Sequence, residues 1–252
     1  MCSCPDQGER AVARSPPHKP FSNHLLSALS EADFMILDAH LSPIQLHLRR
    51  SLEEANKPIR YVYFPDTGIV SVVAEGTRLR RSEIGLIGRE GMTGINVVMG
   101  NDRSPHMSYV QVAGTGRRMK ANDLRHAMQE SGSIRNSFLH FAQAFMVQTA
   151  HTAVANGRAN IEERLARWLL MAHDRLDDNE LPLTHEFIAL MLNVRRAGVT
   201  EALQALSRKR VITAKRRQIS VTNRAGLETA ANGLYGIPEA EYRRLTGWRS
   251  EH

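Results

Sequence analysis

Arg196 and Thr200 lie four residues apart in the stretch Thr184–Leu206, so on a helix both leave the face opposite Val199 and Leu203. An arginine on such a face can donate two parallel hydrogen bonds to the O6 and N7 of a guanine in the DNA major groove. Glu201 beside them either accepts from a cytosine amino group or orients Arg196 or a lysine, and the spacing leaves these open. Arg195 is read as a phosphate contact. Thr184, His185, Lys209, Lys215, Arg216 and Arg217 are assigned to the phosphate backbone as well, where contacts fix register without reading sequence. The charge distribution supports this: from Ala205 to Arg224 the chain has seven basic residues and no Asp or Glu.

Such side chains need a frame, and the same stretch encodes one. Thr184 can cap a first helix. Ile188, Met191 and Leu192 supply its apolar face, and Ala189 is small where a crossing helix must come close. Asn193 tolerates the left-handed conformation of a sharp turn. Val194, Val199, Leu203 and Leu206 then resume the apolar face on a second helix. This is a helix-turn-helix pattern; the rival reading is two core helices of an unrelated bundle. Gly198 costs about 1 kcal/mol of helix propensity, and its expected reason is close backbone approach to DNA. Downstream, Val211-Ile212 and Ile219–Val221 bracket Lys215-Arg216-Arg217-Gln218, a short hairpin with a cationic tip.

The whole chain has 252 residues, 42% hydrophobic and 23% charged, with a formal net charge of +7. That is the profile of a globular protein with room for two modest domains and a polyanionic partner. No run approaches the roughly 18–20 apolar residues that cross a bilayer, and MCSCPDQGER lacks a signal peptide's apolar core. Cytoplasmic localisation without a membrane partner is the expectation. Residues 1–20 read as a disordered leader. Cys2 and Cys4, with His18 and His24 downstream, fall short of a folded four-ligand metal site and read as incidental thiols.

Order is expected from Phe21. Leu25, Leu26 and Leu29 share a face, and Ser30 with Asp33 starts a second short helix. From Ile44 to about Lys120, short runs (Ile59–Phe64, Ile69–Ala74, Leu79–Ile87, Met107–Val112) alternate with turns such as Pro65–Gly68. That texture predicts a small antiparallel roll or barrel. A helix follows from about Asn122 to Gln129, then a long one over roughly Ser133–Asn156. Ile134, Phe138, Phe141 and Phe145 begin a heptad-like seam on that long helix and are taken as the dimer interface; Leu139, Ala142, Met146 and Ala153 form a second face for the roll. Gly157-Arg158 is expected to break helicity as a hinge, and Asn160 with Glu163 to open the next helix as a capping box.

This α+β layout therefore divides into a leader (1–20), a β-roll sensor (21–130), a dimerisation helix with hinge (131–157), a winged helix-turn-helix (158–228) and a C-terminal tail (229–252). It resembles the Crp/Fnr superfamily of bacterial transcription regulators. The resemblance rests on Val62–Gly68 and Ile87–Gly94 in the roll, on Glu163–Leu170, and on Thr184–Val221, and it spans about residues 21–228. It implies a cyclic-nucleotide-binding-like roll and a homodimer on near-palindromic double-stranded DNA, and it leaves RNA polymerase and a small-molecule effector open as further partners. Arg103-Ser104 looks like the arginine–serine end of the family's phosphate cassette. The matching glutamate is missing, since Thr93 stands near its place and Glu90, outside the spacing, reads as a surface or turn residue. The recognition helix also departs from the best-known pattern, with Ala197 and Glu201 where an acidic residue and a second arginine are expected.

Nothing in the sequence points to catalysis. No phosphate loop, His-Glu-x-x-His pair or nucleophile elbow is present, and no cofactor is indicated. The expectation is a sequence-specific DNA-binding regulator sensing an unidentified signal. The alternatives are a nucleotide receptor with secondary, non-specific nucleic-acid binding, and a structural protein with a basic tail.

Overall fold

Polar caps open the first two helices of the computed structural model, which describes residues 22–76, 81–215 and 217–247. The leader, Cys2 and Cys4 lie outside them. Asn23 accepts from the Leu26 N–H to start α1 (His24–Ser27), and Ser30 accepts from the Asp33 N–H to start α2 (Glu31–Asp38).

Seven strands follow: β1 (Ser42–Leu46), β2 (Ser51–Glu53), β3 (Tyr61–Pro65), β4 (Ile69–Glu75), β5 (Arg81–Ile87), β6 (Met107–Val112) and β7 (Gly114–Lys120), with the short α3 (Ile95–Val98) between β5 and β6. They form two antiparallel sheets, ordered β1-β7-β3 and β2-β6-β4-β5. Val62, Phe64, Val70, Ile87 and Met119 face a shared core. At Gly68, φ is +82°, and a Cβ there would lie 2.5 Å from the Val112 carbonyl oxygen, so the turn admits only glycine.

After α4 (Ala121–Glu130), Ser131 caps the 27-residue α5 (Gly132–Arg158) by accepting from the Ile134 N–H at 3.2 Å. The aromatic seam of α5 corrects the sequence reading. Ile134, Phe138, Phe141 and Phe145 are buried in the core of their own roll, not on a surface open to a partner. Phe138 stacks obliquely on Phe64 with ring centroids 5.9 Å apart. A Cβ on Gly91 would lie 2.2 Å from the Phe141 ring, and one on Gly85 2.7 Å from Phe145, so two glycines of the roll are the sockets for these rings. Gln148 completes that face, accepting from the Leu86 N–H at 2.7 Å. The exposed face instead carries Leu139, Gln143, Met146, Ala150 and Ala153, spaced four and three apart. The periodicity is legible in the sequence, but Leu139, Met146 and Ala153 leave the roll face expected of them while Ala142 is buried in the roll core, because only the rings match the glycine sockets.

The expected break at Gly157-Arg158 is also displaced. Helix α5 runs through both residues, and the chain turns at Ala159, in extended conformation. Asn160 then opens α6 (Ile161–His173) with a reciprocal capping box, both of its bonds to Glu163 being 3.0 Å. Beyond it come β8 (Glu180–Leu181), α7 (His185–Leu192), α8 (Arg196–Arg208), β9 (Ile212–Lys215), β10 (Gln218–Val221) and α9 (Arg224–Ala230). Strands β8-β10-β9 make a small antiparallel sheet, and Leu165, Leu169, Ile188, Val199, Leu203 and Leu206 form the core beneath it.

The segment read as a C-terminal tail contains a further helix, α10 (Ile237–Thr246), which packs against α5. Its start has Pro238 in the first turn and Glu239 accepting from the Gly236 N–H; Gly247 ends it at φ +69°. Tyr242 ties it to the roll by donating to the Glu90 carbonyl oxygen at 2.8 Å. Among the described residues, no helix is long and apolar enough to cross a membrane.

Candidate nucleic-acid interface

Thr184 caps α7 by accepting from the Phe187 N–H at 3.2 Å. Asn193 ends it in the left-handed conformation (φ 50°, ψ 50°), and the chain re-enters a helix within three residues. Burial of Val199, Ala202, Leu203 and Leu206 fixes which face of α8 points out. That outer face bears Arg196, Ala197, Glu201, Gln204 and Arg208, with Arg195 exposed at its N-terminus. The side chain of Arg196 is 66% exposed, and its Nη1 lies 2.7 Å from Glu186 Oε1. Glu186, not Glu201, therefore orients Arg196, through an exposed ion pair weak enough for DNA to replace.

The other predicted contacts fare differently. The Thr200 hydroxyl donates to the Arg196 carbonyl oxygen at 3.2 Å and lies 3.1 Å from His185 Nδ1, so both side chains bridge α7 to α8. Lys209 pairs with Glu162 at 2.5 Å. Lys215 ends β9 exposed, and Arg217 is exposed in the turn of the wing at φ +63°. Arg216 lies outside the described residues. Arg224, counted with the cationic run, turns inward instead: it contacts Asp174 at 2.7 Å and Glu228 at 3.0 Å. Gly198 has an interior reason too, since a Cβ there would lie 2.8 Å from Ile161 Cδ1, where α8 crosses α6. Close approach of helices, not of DNA, accounts for it.

Sequence reasoning passes over Gln204 and Arg208. The signal is present, because 196, 200, 204 and 208 step along one stripe of a helix. Gln204 has the chemistry to bond adenine N6 and N7 as a bidentate pair.

In the roll, Arg103 is exposed beside Asp102 at 3.6 Å, and Ser104 is buried with its Oγ accepting from the His106 N–H at 3.0 Å. They do not converge on a common ligand position. The glycine-rich turn is engaged from within: buried Glu53 accepts from the Gly94 N–H at 2.6 Å, and burial pushes its carboxyl above the usual range. Glu90 is not a free surface residue. It accepts from the Gly88 N–H at 3.1 Å and pairs with buried Arg175 at 2.7 Å.

Residues 163–230 match the family model described as the Crp-like helix-turn-helix domain. This is a Crp-like helix-turn-helix domain on a Crp/Fnr-type fold. The fold assignment extends over the roll and long helix through solved structures. FixK2 from Bradyrhizobium japonicum superposes with a TM-score of 0.66 at 18% identity, covering 75% of this chain and 96% of that one. A CRP-family transcriptional regulator from Thermus thermophilus gives 0.62 at 17%, covering 75% and 97%. The c-di-GMP responsive global regulator CLP of Xanthomonas campestris gives 0.61 at 15%, covering 76% and 99%. Comparison with curated protein sequences finds no match. The Crp-like domain is thus the part identified from sequence, and the roll is assigned by fold.

Proposed function

We propose that the chain is a sequence-specific DNA-binding transcription regulator, cytoplasmic and non-enzymatic, acting as a homodimer on a near-palindromic operator. The observation that carries this reading is the outer face of α8, where Arg196, Glu201, Gln204 and Arg208 stand exposed on a helix braced by a winged frame. Exposed Lys215 and Arg217 flank it in the wing and fit phosphate contacts.

The dimer is proposed to form through the exposed stripe of α5, Leu139, Gln143, Met146, Ala150 and Ala153, in place of the buried aromatic seam. Small residues in its second half favour close helix approach. A two-fold axis along α5 gives two recognition helices for half-sites about one DNA turn apart. A signal at the roll acts by changing how the DNA-binding domain sits on it.

Glu53 on the Gly94 N–H disfavours the rival reading of a cyclic-nucleotide receptor, because that donor already has an internal acceptor. Selection of bound sequences from a random DNA pool tests the proposal. Enrichment of paired half-sites supports it, and recovery of unrelated sequences removes it.

A further inference from the structure

A cleft of about 430 Å³ opens between the roll and the helix-turn-helix, within the ~300–1,000 Å³ range of small-molecule sites. Its roll wall includes Val73, Met107 and Val110, and its opposite wall includes Phe187 and Leu190 of α7. One polar group in it stands apart. Gln111 is 3% exposed, and neither its Oε1 nor its Nε2 has a hydrogen-bond partner among the described residues. A buried amide with both ends unsatisfied is costly and is found where something else completes it.

The backbone aims that amide into the cleft. Ile69 pairs with Val112 and Val70 with Val110, so Gln111 is the extra residue of a β-bulge in β6. Bulges re-aim side chains and concentrate beside binding sites. A second bulge, at Ile84 of β5 between the partners of Val72 and Val73, directly follows Glu83, which lines the same cleft. Glu83 is itself engaged by Ser71 Oγ at 2.5 Å and Trp168 Nε1 at 2.6 Å.

We propose that this cleft binds a neutral amphipathic small molecule, with an apolar chain or ring and a head group presenting a carbonyl beside an N–H or O–H. The head would pair with both ends of Gln111, and the body would lie between Val73 and Met107 on one side and Phe187 and Leu190 on the other. The charged groups of the cleft are of both signs, Glu83 and Glu186 against Arg49 and Arg81. The lining therefore has no net charge to draw a charged head, which would lose its hydration between the apolar walls. The walls belong to two domains, so the occupant's affinity depends on their docking, and binding shifts that equilibrium. Only this regulatory consequence rests on the DNA-binding reading; the site stands without it.

The test uses the full chain with octanamide and 4-phenylbutanamide as neutral probes, and octanoate and octylamine as charged controls, by isothermal titration and saturation-transfer NMR. At least one amide is expected to bind once per chain, at least tenfold tighter than either control. Gln111→Leu keeps the shape but removes the amide's hydrogen bonds, and should weaken binding at least tenfold without lowering the melting temperature. Leu190→Trp, at an exposed position on the mouth, should block the cleft in a folded protein. Absence of binding by both amides, equal binding by the charged controls, or undiminished binding by Gln111→Leu would each overturn the proposal. DNA affinity measured on the same samples separates the two readings: amide binding without DNA binding removes the regulator and keeps the site.

Discussion

Trp168 of α6 donates its indole N–H to the carboxylate of Glu83 in β5 at 2.6 Å, joining the helix-turn-helix domain to the roll through a buried bond. Ser71 donates to the same carboxylate at 2.5 Å. The latch lies beside Met191 of α7, so the first helix of the helix-turn-helix is seated directly on the roll.

This latch should respond to pH. Burial pushes the Glu83 carboxyl up from 4.5 to about 7, against the opposing influence of Ser71, Trp168, Arg175 and Arg167. A carboxyl raised on folding stabilises the native state fully below the unfolded value and loses that contribution as pH rises through the folded one. Stability is therefore expected to fall between pH 4.5 and about 7 by up to about 3 kcal/mol from this group. Glu83→Gln keeps a donor and an acceptor and should flatten the decline, making the variant the more stable protein at pH ~8. Thermal unfolding of both across that range checks it, and parallel profiles would show that Glu83 does not titrate there.

The two faces of α5 should separate fold from assembly. Phe141 is 2% exposed with its ring in the Gly91 socket, so Phe141→Ala should cost about 3–5 kcal/mol of stability. Met146 is 57% exposed, and Met146→Lys should leave unfolding nearly unchanged while converting dimer to monomer. Sedimentation velocity with chemical denaturation reads both, and a dimeric Met146→Lys would point to a different interface.

How much of this is open to sequence reasoning follows from what sequence patterns encode. Caps are legible because they are local: Thr184 and Phe187, or Asn160 and Glu163, stand three residues apart and bond as their chemistry dictates. The helix-turn-helix is legible for the same reason. The orientation of α5 is not, because both its stripes are apolar and the deciding sockets, Gly85 for Phe145 and Gly91 for Phe141, lie 60 and 50 residues away in the chain. Arg224 looks cationic and free until Asp174, similarly distant, neutralises it. Helix α10 is different: Pro238, Glu239 and Gly247 mark both of its ends in the sequence.

Gly198 offers a sharper check. If its role is the crossing with α6, then Gly198→Ala combined with Ile161→Val should gain up to about 1 kcal/mol of stability through helix propensity. DNA affinity should stay within about twofold. A loss of tenfold or more in affinity with unchanged stability would return Gly198 to the DNA surface.

Among the exposed residues of α8, Gln204→Ala should relax preference at one base position, at a cost of about 1–3 kcal/mol on the selected site. Lys215→Ala should weaken binding to every duplex alike and lower the salt slope by about one. Fluorescence anisotropy over a salt series distinguishes the two patterns.

The most direct measurement is the ratio of affinities for a selected operator and a random duplex, taken for the native chain and for Arg196→Ala at one salt concentration. A base-reading Arg196, released from Glu186 on binding, should make that ratio fall at least tenfold in the variant while random-duplex affinity changes little. Equal losses on both duplexes would contradict sequence reading by α8.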